Sequence, residues 1–232
     1  MLIREGTDRT VAIDLKLASS LAGIAGALNA AGFQAAGFFS ANMTGNVSSL
    51  SDYLGLANFG LAGIFAALVL TFIGGAFCSG LLIEAGRSRE IRGIYAYSIL
   101  LEAALLLSLA VADISLPAIQ SGPPLVLGLS FIMGLQNAAT TRISNAKVRT
   151  THVSGMATDI GLNLAALWSA RCNQPEASER LRLHFSTLTA FLLGGVVGAV
   201  SYVLIGGLVL ALCAIILMLI ALPELKRARG RS

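Results

Sequence analysis

Charge is what this sequence has least of. Only 12% of its 232 residues are Asp, Glu, Lys or Arg, whereas a soluble domain carries about 25%. Hydrophobic residues make up 56% and the mean hydropathy is +0.80. That leaves too little polar surface to cover a water-facing globule. Lipid is therefore the expected solvent for much of the chain. No stretch is polar and long enough for a separate soluble domain; the longest, Arg171 to Arg182, reads as a loop. Cysteine is scarce too. Cys78, Cys172 and Cys213 have no metal-like spacing, and two lie inside apolar runs, which excludes a disulfide framework and leaves them as small apolar fillers. A G-x-S-x-G elbow, an H-E-x-x-H pair and a phosphate-binding Walker loop are all missing, so the usual hydrolase, zinc-protease and nucleotide-binding signatures do not apply. Nothing calls for a cofactor or a metal. The N-terminus mixes Arg, Glu and Asp ahead of an apolar run too long for a signal-peptide core, so a retained first span is expected.

The sixteen bases fall in five clusters, around residues 4–16, 87–92, 142–149, 171–182 and 226–231. Long base-free segments separate them. This is the pattern of the positive-inside rule. It explains the net charge of +4 without nucleic acid as a partner. Six apolar runs long enough to cross a bilayer, at about 20 residues each, lie near residues 15–39, 59–83, 93–112 and 125–141, with two more between 184 and 222 turned at Gly206-Gly207. With the N-terminus in the cytoplasm, six spans place every base on the inside. Eight spans would strand a basic cluster outside in each half.

Two polar breaks interrupt the apolar runs. The first contains Asn42-Met43-Thr44-Gly45-Asn46, the second Val153-Ser154-Gly155-Met156. Each follows an Asn-Ala pair, Asn29-Ala30 or Asn137-Ala138, and each precedes a Gly pair, Gly74-Gly75 or Gly194-Gly195. The expected architecture is an all-α integral membrane protein of two halves. Residues 1–14 form a cytoplasmic N-terminus, 15–113 a first repeat, 114–222 a second, and 223–232 a basic cytoplasmic tail. Three spans per half is an odd number, so the second half is inverted, the plan of many secondary transporters.

Within each break, Thr44 and Ser154 are placed to cap a short helix. Polar residues then recur at helical spacing, as at Asp159 and Asn163. Such a helix either enters the membrane with its N-terminus at depth, where it attracts anions, or lies in the interface with Tyr53 and Trp168 as anchors. The candidate binding residues are Asn29, Thr44, Gly45, Asn46, Asn137, Ser154, Gly155 and Asp159. Asn29 and Asn137 could equally be interhelical glue. Glu102 sits mid-span, where a carboxylate is costly unless paired or protonated. It is the candidate coupling residue, with Asn29, Asn137 or a tyrosine as its alternative partner. Three functional readings stay open: a transporter or channel for a small solute, with an anionic or zwitterionic one fitting best; a membrane scaffold or regulatory module using its basic loop and tail; and a membrane-embedded hydrolase using His152 and Ser154. A chain of 24.0 kDa also leaves room for a homo-oligomer.

The segments Leu28-Asn29-Ala30 and Asn42-Met43-Thr44-Gly45-Asn46 resemble the YoaK-like family of bacterial multi-pass membrane proteins. So do Gly134-Leu135-Gln136-Asn137-Ala138, Arg142, Arg149-Thr150-Thr151 and Ser154-Gly155. The resemblance implies a bacterial inner-membrane protein of unknown function. Ser154 stands where that family more often has Thr, which keeps the hydroxyl.

Overall fold

The computed structural model describes residues 1–6, 9–116, 118–169 and 175–230. Among them are eight α-helices and no strand. In chain order these are α1 (Val11–Ala36), α2 (Met43–Gly55), α3 (Phe59–Ser88), α4 (Ile94–Ser115), α5 (Ala118–Ile143), α6 (Val153–Trp168), α7 (Pro175–Ile205) and α8 (Leu208–Arg229). Five of them, α1, α3, α4, α7 and α8, are long and apolar enough to cross a membrane. α5 has the length, 26 residues, but its second half carries Gln136, Asn137, Thr140, Thr141 and Arg142. α2 and α6 have 13 and 16 residues. At 1.5 Å per residue they reach roughly 20 and 24 Å, short of the roughly 30 Å hydrocarbon core.

The two ends of the bundle differ in chemistry. At one end Arg87 pairs with Glu5 at 2.9 Å, Arg142 approaches Glu84 at 3.5 Å, and the Leu2 N–H donates to Glu224 at 3.0 Å. These contacts gather the chain start and the ends of α3, α5 and α8, with their basic clusters. At the other end the Tyr202 hydroxyl donates to Asp113 at 2.9 Å, and Gly122 of α5 packs against Ala35 and Ala36 of α1. No Lys or Arg occurs between residues 17 and 86 or between 93 and 141, so this end has no base near it. α5 therefore runs between the same two ends as its neighbours.

The halves of the chain interlock rather than sitting side by side. α1 packs most closely on α7, and α3 on α5. Glycine makes both approaches possible. A methyl group on Gly75 would collide with the carbonyl of Phe131, and one on Gly134 with that of Phe72. Gly26 meets the Phe191 carbonyl and Gly194 that of Gly23 in the same reciprocal way. Lipid supplies no hydrophobic drive between helices, so close backbone contact at small residues carries the association. α4 and α8 pack on each other at the back, while α2 and α6 lie along α3 and α7. The apolar window of α7 is only 6% buried, which suits a surface solvated by lipid.

Several boundaries depart from the sequence expectation. The basic stretch ahead of residue 184 is not all loop: residues 175–182 form the first turns of α7. Pro175 at its first position and Glu176 in its first turn are normal helix-start signals. The expected tail is helical through Arg229. α5 begins at Ala118, ahead of the expected run 125–141, so Pro123 and Pro124 lie inside it and each forfeits one backbone hydrogen bond. Pro117, Arg171 and Cys172 fall outside the described residues.

Candidate functional site

Each short helix starts just after a segment that an asparagine on a long helix holds in place. Asn29 accepts the Ala41 N–H at 2.9 Å, and Asn137 accepts the Thr151 hydroxyl at 3.1 Å. The chain leaves α1 at Gly37, in the left-handed region with φ 75°, and doubles back to the level of Asn29 before α2 begins. The first Asn is thus a clamp on the polar break itself. The second does the same and also donates to its own helix at Met133.

The caps differ from the expected ones. Asn42, not Thr44, caps α2, accepting the Gly45 N–H at 3.2 Å. His152 occupies the cap position of α6 without a capping hydrogen bond, and its ring lies over Gly155. Thr44 and Ser154 are each the second residue of their helix. Their hydroxyls are therefore not needed to satisfy the helix start.

The two helix starts meet at one cavity of about 760 Å³. Asn29, Thr44, Gly45, Asn137 and Ser154 line it. Phe72, Phe191, Thr141, Arg149 and Phe39 line it as well. Among the described residues its wall holds no Asp or Glu. Arg149 is exposed there and has no acidic partner among the described residues. Phe72 and Phe191 each stand three residues before a glycine of the close helix crossings, the one signal by which they could have been found.

The other candidates lie elsewhere. Asn46 is 3% exposed and donates to the Phe39 carbonyl at 3.3 Å, so it supports the α2 start from behind. Gly155 and Asp159 border a second cavity of about 430 Å³, which shares Arg149 and His152 with the first. Asp159 sits 3.5 Å from His184. Ser154 makes no side-chain hydrogen bond to His152 among the described residues. Glu102 is fully buried on α4, a helix that gives no residue to the central cavity. Both its oxygens lack a hydrogen-bond partner, so neither Asn29, Asn137 nor a tyrosine serves it as expected.

A helical bundle with several lipid-length apolar helices, and a cavity between the starts of two short ones, is that of a multi-pass membrane protein. The family model described as a protein of unknown function (DUF1275) matches residues 17–222. The chain belongs to that family. Searches of curated proteins and of solved structures give no match.

Proposed function

We propose that the protein moves a small anion across the bacterial inner membrane, with its basic end in the cytoplasm. The observation that carries this reading is the convergence of the α2 and α6 starts on one cavity that is lined by Arg149 and, among the described residues, by no acid. A helix start presents unpaired N–H groups and the positive end of its dipole. Two such ends with a guanidinium favour negative charge, and Thr44, Ser154, Asn29 and Asn137 add hydrogen-bonding capacity.

The halves are read as an inverted repeat, with α1 to α4 equivalent to α5 to α8. Three spans and one short helix make up each half. Aligning the reciprocal glycine contacts makes Gly26 equivalent to Gly134 and Gly75 to Gly194. The same alignment superposes Asn29 on Asn137 and Phe72 on Phe191. Counting back from the helix starts pairs Ser40 with Thr150, two buried hydroxyls that both lack a partner. Binding between repeats, at broken or short helices, is the geometry of alternating-access carriers. Glu102 stays in the proposal as a coupling residue acting through helix packing, since it does not reach the cavity.

The test is anion flux into liposomes holding the purified protein, with nitrate, phosphate and acetate as probes. Flux of at least one should exceed that of empty liposomes and fall about tenfold or more in Arg149→Gln, the scale of one lost charge-assisted contact. Glu102→Gln should remove any pH dependence while the protein stays inserted. Flux equal to empty liposomes for all three probes would sink the reading.

A further inference from the structure

The proposed repeat brings together residues that ought to be alike and are not. Phe33 on α1 is equivalent to Thr141 on α5, Phe39 to Arg149, and Phe65 on α3 to His184 on α7. The first-half members belong to a run of aromatic contacts. Phe33 stacks on Phe39 with ring centroids 4.5 Å apart, Phe38 meets Phe65 edge-on at 5.3 Å, and Tyr53 stacks on Phe65 at 5.6 Å. Phe39 is itself a wall of the central cavity. The aromatic run lies towards the base-free end, where α1 finishes and α3 starts. The second-half members are polar. Thr141 and Arg149 line the central cavity, while Arg149, His152 and His184 line the adjoining one.

We propose that the central cavity opens to the basic end, past Arg149 and His152, and is closed towards the opposite end by an aromatic gate. Phe39, Phe33, Phe38 and Phe65 form that gate. This rests on the transport reading above and adds its sidedness: the structure is the carrier's basic-end-open state. The two cavities adjoin at Arg149 and His152, which line both, and the proposed path passes these two side chains on its way from the helix starts to the cationic end. An anion entering from the cytoplasm meets Lys147, Arg149 and the His152 and His184 rings before reaching Thr44 and Ser154, with Asp159 the one acid on that wall. On the other side it meets hydrocarbon rings. Passage then requires Phe39 to separate from Phe33, and Phe65 from Phe38 and Tyr53.

Thiol labelling tests the gate separately from the flux. In a full chain with Cys78, Cys172 and Cys213 replaced by Ser, Thr44→Cys and Ser154→Cys would each report access to the cavity. The probe is an impermeant anionic methanethiosulfonate, applied to vesicles of each orientation, with Arg89→Cys marking the basic face. A base-free-end-open state held as a minor conformer, at about 0.1–10%, would make labelling from that face about ten to a thousand times slower. Phe39→Ala with Phe65→Ala should lift the slow rate towards the fast one. Phe39→Leu, which keeps volume but removes stacking, should lift it part of the way. Equal rates from both faces in the parent, faster labelling from the base-free face, no labelling from the basic face, or slow rates unchanged in both Phe variants would overturn the gate. If flux is absent but this sidedness holds, the transport reading fails and the gate stands.

Discussion

The Asn29 side chain accepts the backbone N–H of Ala41 at 2.9 Å, and this one bond sets where α2 begins. Asn29 is 9% exposed and Ala41 6%, so water has little access to replace either partner. Asn29→Ala leaves the Ala41 N–H buried without an acceptor, at a cost of about 1–3 kcal/mol. Asn137→Ala frees only a half-buried Thr151 hydroxyl, which can rotate to another acceptor, and should cost less. Reversible unfolding in mixed micelles would show the order. Equal losses, or a larger loss at Asn137, would mean that the first clamp is not what holds the break.

Glycines of one helix divide by what faces them. Gly75 meets the Phe131 backbone, while Gly63, also on α3, has nothing within 4 Å. Gly75→Ala must push α3 off α5, an overpacking change of about 1–3 kcal/mol. Gly63→Ala meets no obstacle and gains helix propensity, up to about 1 kcal/mol. Melting temperatures of the two variants in the same detergent should therefore move in opposite directions. A stable Gly75→Ala protein would show that the α3–α5 crossing is looser than the structure has it.

Much of this arrangement is legible in the sequence. The long apolar runs and the two polar breaks follow from composition and local pattern. So does the pairing of Asn29 with Asn137, because lipid imposes length and polarity rules on each segment by itself. The capping residues are not legible locally. Thr44 and Ser154 are good caps in isolation, but chain doubling at Gly37 and the pull of Asn29 and Asn137 put Asn42 and His152 at the helix starts. Arg149 is legible in the sequence as an inside charge and as part of the family resemblance, but nothing local shows that it turns towards a cavity. The Phe39 contacts were hidden for the same reason. Which helix packs on which is a property of glycine surfaces meeting across the bundle. A chain that crosses α1 over α7 and α3 over α5 does not advertise that pairing in its order.

Glu102 offers the remaining stability prediction. Both its oxygens are buried and unpartnered, among apolar neighbours that include Ile99, Ala103 and Leu106 on its own helix. An unsatisfied buried polar group costs about 1–3 kcal/mol, and replacing it with an apolar group of similar shape can be neutral or stabilising. Met matches the length of Glu and adapts to irregular packing. Glu102→Met should therefore unfold in micelles at the same denaturant fraction as the parent or a higher one. Meanwhile Glu102→Ala, which leaves a void, should unfold earlier. A clear loss of stability in the Met variant would mean that the carboxyl has a partner the static structure does not hold, such as a buried water. A stable Met variant would show that the fold has no need of the acid.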